Sequence, residues 1–364
     1  MASRLTFRLT RVYIMGADRV HHPRRSVHFM KRSFFVLTFI VAAAWTASAA
    51  DPPAWAYGFT TGLSTAPPPA AGRGPGGGSG GGRGGSGRGA PAAPTMLHLE
   101  GSTLEFPSNR INSGYDPVDW FPNDHAKMPD VVAKGRAPDI RACALCHGPV
   151  GQGRSENAAV NGLPVEYFIQ QMRDFAANNR KTSDTRKTNT GAMAVIGRAM
   201  TEEELKAAAE YYASVPFKAF VTVKESATVP KTRTNNGLFL ALEGNETEPL
   251  GDRIIEMPAS AEAVETYRDP RATFIAYVPV GSLKKGEALA KAGQCTLCHG
   301  ADLRGIGPVP AIAGRTASYM MRQMYDMQQG NRKGLWTGLM KPVVASLSQD
   351  QMLYLSAYVA SLKP

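Results

Sequence analysis

Cys143-Ala-Leu-Cys146-His147 and Cys295-Thr-Leu-Cys298-His299 are two copies of one pattern, Cys-x-x-Cys-His. Two thiols at this spacing can each form a thioether with a vinyl group of one porphyrin, and the adjacent His can then ligate the iron. A redox pair or half of a zinc site shares the cysteine spacing, but neither requires the His or a second copy. The two copies use all four cysteines of the chain. The pattern therefore predicts two covalently bound haem c groups. The predicted attachment sites and proximal ligands are Cys143, Cys146, Cys295, Cys298, His147 and His299.

A longer repeat accompanies the two motifs. Residues 167–181 align without a gap with residues 319–333, and seven of the fifteen positions are identical. In both copies the initial Tyr lies twenty residues after the proximal His. Self-similarity at matched positions predicts a duplicated domain.

Each copy ends in a predicted helix. Thr201-Glu-Glu-Glu204 and Ser348-Gln-Asp-Gln351 have the pattern of a capping box, and apolar residues follow both at helical spacing. Residues 282–292 predict the opening helix of the second copy, which Gly293 ends. Each copy is thus predicted to contain the haem motif, a loop, a middle helix, a methionine-bearing loop and a terminal helix.

Met193 and Met340 are the predicted sixth ligands. Each lies eight residues before its capping box. They lie 46 and 41 residues after their respective His, which indicates a five-residue insertion in the first copy. A core role is the alternative for any Met, and Met200 competes in the first copy. With Met as sixth ligand the potential is raised and the iron is closed to substrate, which suits electron transfer.

The first 96 residues carry most of the formal net charge of +11, so the remainder of the chain is nearly neutral. The remainder therefore lacks the excess of basic residues that is typical of nucleic-acid-binding proteins. Met30-Lys-Arg32, the apolar run over 34–44 and Ala47-Ser-Ala49 predict a leader and signal peptide over 1–49, with Met30 as the initiator. Export to the periplasm follows, and an uncleaved anchor is the alternative. Residues 50–96 are rich in Gly and Pro and predict a disordered linker.

The motifs together resemble class I c-type cytochromes. The resemblance rests on Cys-x-x-Cys-His-Gly, the Tyr-x-x-x-Gln-Met-x-Asp middle helix, the Met region and the Tyr-x-Ala-Ser terminal helix, over residues 130–216 and 281–364. Two such units in one exported chain resemble the di-haem cytochrome c4 type. The resemblance implies a mainly α fold with two tandem cytochrome c domains, over 97–216 and 281–364. Strand-like runs between them predict a small β-rich insert over 217–280.

The resemblance implies a periplasmic carrier of single electrons between respiratory-chain components, such as a dehydrogenase and a terminal oxidase. The alternative is the cytochrome subunit of a periplasmic dehydrogenase complex. A di-haem enzyme such as a peroxidase ranks lower, because it needs an open iron or a Cys/His ligand. We therefore favour a carrier over an enzyme, with contact to a membrane only through partners or an uncleaved anchor.

The copies differ after the haem motif. Gly307-Pro-Val-Pro310 looks like the segment whose carbonyl orients the proximal His in this family, whereas the first copy has Glu156-Asn-Ala158. We expect weaker support for His147 on this ground. We also expect an unpaired Glu156 to stabilise ferric iron and to lower the potential of the first haem.

Overall fold

The computed structural model describes residues 51–60 and 93–364. The predicted leader and most of the predicted linker lie outside the described residues. Among the residues described, no helix is long and apolar enough to cross a bilayer.

Helices dominate on either side of a β-rich stretch. The α-helices of the described residues are, in chain order, α1 Asp130–Ala133, α2 Cys143–His147, α3 Val165–Ala176, α4 Asn189–Ala199, α5 Glu202–Ser214, α6 Ala261–Glu265, α7 Ser282–Ala292, α8 Thr296–His299, α9 Ala317–Gln328, α10 Thr337–Ala345 and α11 Gln349–Ser361. Short 3-10 turns cover Ala54–Tyr57, Ser108–Arg110 and Ala301–Leu303.

The terminal helices begin at the predicted caps. The Thr201 hydroxyl accepts from the Glu204 N–H at 3.2 Å, and the Ser348 hydroxyl accepts from the Gln351 N–H at the same distance. Both caps are complete boxes. They satisfy backbone donors that would otherwise lack a partner at the helix start. The predicted opening helix over 282–292 is also present as α7.

The methionine-bearing loops were predicted wrongly. Met193 lies within α4 and Met340 within α10, so both belong to short helices. Pro342 lies inside α10. A proline argues against a helix when the sequence is read alone, and packing against neighbouring helices overrides that weak local signal.

Small sheets occupy the stretch between the helical parts and two sites near the start. The strands of the described residues are β1 Met96–His98, β2 Glu105–Pro107, β3 Gly135–Arg136, β4 Ile140–Arg141, β5 Val221–Glu225, β6 Thr228–Pro230, β7 Thr232–Asn235, β8 Leu238–Ala241, β9 Thr247–Pro249, β10 Ile255–Pro258 and β11 Phe274–Val278. In the largest sheet β11 lies between antiparallel β10 and parallel β5. The other pairs are the antiparallel ladders β1–β2, β3–β4, β6–β9 and β7–β8.

The three-stranded sheet packs against the last helix. Phe274 and Val278 of β11 share one buried cluster with Leu353 and Ala357 of α11. A second cluster joins α1, α2, α3 and α5 around Tyr212, and a third joins α7, α9 and α11 around Met321. Each Cys-x-x-Cys-His motif therefore lies beside its own apolar cluster.

Residues 51–60 differ from the prediction of a disordered linker. Ala56 and Tyr57 are fully buried. The Tyr57 hydroxyl donates to Asp326 Oδ1 at 2.7 Å, and Arg322 donates to the Ala56 carbonyl at 2.6 Å. Two aromatic residues, Trp55 and Tyr57, supply enough apolar surface to hold this short segment against α9.

The two copies of the repeat bind each other through the residues they share. Arg180 donates to Tyr319 Oη at 2.9 Å, and Arg332 donates to Tyr167 Oη at 2.8 Å. Both guanidinium groups also donate to the two repeated glutamines, Gln171 and Gln323. The backbones of Arg180 and Arg332 form an antiparallel β-bridge. We call these six side chains the exchange network, because each arginine bonds to the tyrosine of the other copy. Its members are Tyr167, Gln171, Arg180, Tyr319, Gln323 and Arg332.

Replacing Arg332 with methionine should lower the free energy of unfolding by about 3 kcal/mol, because removing one member leaves buried acceptors of a charged donor unsatisfied. Arg332 is 5 % exposed, which limits rescue by water. Urea unfolding of the holoprotein measures the loss. Lys333→Met is the matched control, because Lys333 is exposed and contributes its backbone N–H to the same bridge. Equal stabilities of the two variants would contradict a structural role for the exchange network.

Candidate functional site

The first motif borders a cavity of about 270 Å³. Cys143, Cys146 and His147 lie on its wall, together with Met193 and Met200. The remaining apolar lining comes largely from the middle helix and α4: Phe168, Met172, Phe175 and Ile196. The structure thus brings together every predicted attachment and ligand residue of the first copy, which are up to fifty residues apart in sequence.

His147 is held in one tautomer. Its Nδ1 lies 2.8 Å from the Ala158 carbonyl oxygen, which only accepts, so Nδ1 carries the proton. The lone pair of Nε2 is then free for a metal. Burial lowers the pKa of His147, which keeps the ring neutral, as a ligand must be.

The second copy has the same arrangement. His299 Nδ1 lies 3.0 Å from the Pro310 carbonyl oxygen, and burial lowers the pKa of this His as well. Ala158 and Pro310 are each eleven residues after their His. The expected weaker support for His147 is therefore wrong: the acceptor is a backbone carbonyl, which alanine supplies as well as proline.

The loop between each proximal His and the carbonyl that accepts from it has the same backbone hydrogen bonds in both copies. The N–H of Gly153 donates to His147 O at 2.8 Å, and that of Gly305 donates to His299 O at 2.6 Å. A single β-bridge follows in each copy, between residues 154 and 157 and between residues 306 and 309. The glycine after each His has a positive φ, 76° at Gly148 and 78° at Gly300, a conformation that glycine adopts without strain.

The cysteines are not poised for thiol redox chemistry. Burial, followed by the neighbouring Cys146, raises the pKa of Cys143 to about 12. Burial also raises the pKa of Cys146 and Cys295. Redox-active pairs require a thiol whose pKa is lowered, because the thiolate is the nucleophile. The raised pKa values of Cys143, Cys146 and Cys295 therefore argue against the alternative redox pair.

The candidate sixth ligands both lie against the cluster that surrounds their motif. Met193 and Met200 are half-buried and pack against the cluster that also contacts Cys143. Met340 packs against the cluster that contacts Cys295. Both Met193 and Met200 remain available to the first cavity, so the cavity lining alone leaves the choice between them open.

The lining of the first cavity fits a porphyrin. Its apolar walls suit the macrocycle, the two cysteines suit its vinyl groups, and the imidazole suits its iron. The basic side chains of Arg180, Lys181 and Lys187 also line the cavity and complement the two carboxylate groups that haem carries.

Glu156 also lines this cavity, but it is paired. Its Oε1 lies 2.8 Å from Arg154 Nη2, and its side chain is 4 % exposed. The expectation that Glu156 is unpaired is therefore wrong. The reason for expecting a lower potential of the first haem no longer holds. This ion pair was not predicted from the sequence. The side chains of Arg154 and Glu156 meet because the chain turns between residues 154 and 157, which only the structure shows.

None of the three basic residues Arg180, Lys181 and Lys187 was predicted as part of the site. Arg180 and Lys181 are two of the seven repeated positions, so the repeat contained a signal for them. Lys187 directly follows the five inserted residues, 182–186, and its counterpart in the second copy is Gly334. Its position against the cavity depends on how the inserted turn folds.

Comparisons with known proteins agree with this site. The Cytochrome c family matches residues 283–363. Cytochrome c4 of Stutzerimonas stutzeri is 30% identical over 237 residues, which cover 61% of this chain and 85% of that protein. The thiosulfate dehydrogenase electron acceptor of Thiomonas intermedia is 24% identical over 234 residues, covering 62% of this chain and 80% of that protein.

Among solved structures, the thiosulfate dehydrogenase of Marichromatium purpuratum aligns with a TM-score of 0.41 and 23% identity. The alignment covers 63% of this chain and 38% of that one. From its haem-attachment motif, the histidine geometry and these sequence relatives, the chain belongs to the class I c-type cytochromes that carry covalently bound haem c, and it is cytochrome c4-like.

Proposed function

We propose that this chain binds two haem c groups, one in each copy of the repeat, and carries single electrons between respiratory-chain proteins in the periplasm. The observation that carries the proposal is the first cavity, where Cys143, Cys146, His147 and Met193 converge. Haem c supplies, when bound, a reversible one-electron change at its iron.

The chain's own residues supply attachment and orientation. In the first site, Cys143 and Cys146 would attach the haem, and His147 and Met193 would ligate its iron. In the second site, Cys295 and Cys298 would attach the haem, and His299 and Met340 would ligate its iron. The two carbonyls at Ala158 and Pro310 fix the imidazoles in the same tautomer.

The proposed domain division follows the repeat. Residues 97–216 form the first cytochrome c domain, residues 217–280 form the β-rich insert, and residues 281–364 form the second. The exchange network supports this division, because the arginine of each copy bonds to the tyrosine of the other copy. A fixed contact between the copies suits a relay, since it holds the two sites at a constant separation.

A carrier is favoured over an enzyme by the ligand set. Two half-buried methionines line the first cavity together with His147, so a soft sixth ligand would be available to an iron bound there. Electron carriers use such closed sites, whereas oxygen or peroxide chemistry requires an open position.

A second candidate function is that of an electron-accepting subunit of a periplasmic dehydrogenase. Two relatives, from Thiomonas intermedia and Stutzerimonas stutzeri, are named as electron acceptors of thiosulfate dehydrogenase, and this chain covers 80% and 82% of their lengths. The donor in this case is the dehydrogenase itself.

Optical redox titration of the purified holoprotein tests the first proposal. We expect two haems per chain, both reversibly reduced by one electron, and the weak far-red band of Met-ligated ferric iron in the oxidised spectrum. Mixing the oxidised protein with a thiosulfate dehydrogenase and thiosulfate then distinguishes the two functions. Rapid reduction of the haems by the dehydrogenase supports the subunit function. Slow reduction by the dehydrogenase, together with rapid oxidation of the reduced protein by a terminal oxidase, supports the free carrier. Peroxide turnover comparable with that of a peroxidase would contradict both.

A further inference from the structure

The first cavity contains a buried lysine side chain. Lys187 lines the cavity and is 7 % exposed. Its Nζ is fully buried and has no hydrogen-bond partner among the described residues. A buried charge is strongly unfavourable unless another group neutralises it. The charged form of Lys187 therefore requires a negatively charged group within reach of Nζ.

The inserted turn holds Lys187 in this position. Asp184 is fully buried and accepts from Arg186 at 2.6 Å. The Lys187 N–H donates to the Asp184 carbonyl at 3.0 Å, which closes the turn. These bonds fix the conformation of the turn, and the turn places the Lys187 side chain in the protein interior.

Three acidic residues lie near Lys187. Glu156 pairs with Arg154 through Oε1, whereas its Oε2 is buried and has no hydrogen-bond partner among the described residues. Asp184 pairs with Arg186. Asp326 accepts from the Tyr57 hydroxyl and from the Ser183 N–H, both through Oδ1. None of the three forms an ion pair with Lys187 among the described residues. Burial, followed by the nearby Arg322, lowers the pKa of Lys187 to about 7, although the carboxylates of Glu156, Asp326 and Asp184 act in the opposite direction.

The second copy has no equivalent group. Without the insertion, Lys333 is followed directly by Gly334. A Cβ on Gly334 would lie 1.8 Å from Asp174 Oδ2, so this position cannot hold a larger residue without rearrangement. The buried ammonium is therefore specific to the first site.

We propose that Lys187 binds a carboxylate group of the haem in the first site and thereby raises the reduction potential of that haem relative to a site without the lysine. The proposal rests on the proposed function, because it requires a haem in this cavity. Pairing with the haem carboxylate would hold Lys187 in its charged form. A positive charge in a poorly solvated site stabilises the form of the iron that carries one positive charge fewer, which is the ferrous form.

The test is a redox titration of the holoprotein and of its Lys187→Met and Lys187→Gln variants. We expect each variant to keep two haems and to lower the first midpoint by an amount equal to about a tenfold change in the ratio of ferric to ferrous iron, ~59 mV for one electron. The second midpoint is an internal control. Lys206→Gln is the matched surface control, because the Lys206 side chain is exposed and forms a surface ion pair with Glu210 at 3.7 Å. It should leave both midpoints in place.

Resonance Raman spectra give an independent readout. The propionate-bending band of the first haem should shift in Lys187→Met and remain in place in Lys206→Gln. The same measurements on Glu156→Gln/Lys187→Met and on Glu156→Gln identify the partner. If the potential drop caused by Lys187→Met persists without Glu156, the haem carboxylate is the partner of Lys187.

If the potential drop disappears in the Glu156→Gln background, Glu156 is the partner and the proposal is wrong. Two haems with unchanged midpoints and an unchanged Raman band in both lysine variants would also overturn the proposal while leaving the proposed function intact. A wild-type chain without covalent haem would instead overturn the proposed function itself.

Discussion

Replacing both Cys143 and Cys146 with alanine should reduce the covalent haem content of the exported protein from two groups per chain to one. The thioethers of the first site depend on these thiols alone, because the other two cysteines lie beside a different apolar cluster. The second site should stay loaded, since its histidine, loop and methionine belong to the second copy. Haem-stained denaturing gels and intact-mass measurement quantify the loss.

The matched control is Cys295→Ala/Cys298→Ala, which should remove the other haem and leave the first. Each double variant should keep one reversible one-electron wave. Release of haem from the wild-type protein by acid–acetone extraction would show that attachment is not covalent. Loss of both haems in either variant would show instead that the two sites do not load independently.

Exchanging Met193 for histidine should lower the potential of the first haem by on the order of 0.2 V, because a thioether prefers ferrous iron and an imidazole does not. The far-red band of the first site should disappear from the oxidised spectrum. The second haem should keep both its potential and its band. Spectroelectrochemistry of the variant and the wild type measures all three effects.

Met200→Ala is the control for this experiment, because Met200 lines the same cavity. It should preserve the Met-ligated spectrum of the first site. If Met200→Ala abolishes that spectrum and Met193→Ala does not, the ligand is Met200 and the two copies do not match at this position. Met340→His is expected to produce the corresponding change in the second haem.

Much of the helical framework was predictable because its signals are local. The capping boxes at Thr201 and Ser348 and the helix over 282–292 involve residues within one or two turns of each other. The strand-like runs predicted within residues 217–280 overlap the observed strands β5, β8, β10 and β11. The strands β6, β7 and β9 were not predicted, because they are short and largely exposed and lack an alternating apolar pattern.

The helices that carry Met193 and Met340 show the opposite case. Their sequences are short and interrupted by glycine or proline, so local propensity favours a loop. Contacts with the middle helices of the two copies stabilise them. Tertiary packing decided their conformation, as it did for residues 51–60.

By itself the sequence determined the chemistry of the protein: the covalent attachment motif, its duplication, and the helix starts that follow it. These features depend on residues a few positions apart, whose geometry the chain fixes locally. Only the tertiary structure decided how the polar groups are satisfied: Ala158 as the acceptor of His147, Arg154 as the partner of Glu156, and the exchange network between the copies. Burial removes water as a partner, so each such group must find one elsewhere in the fold. At Lys187 none is found within the described residues.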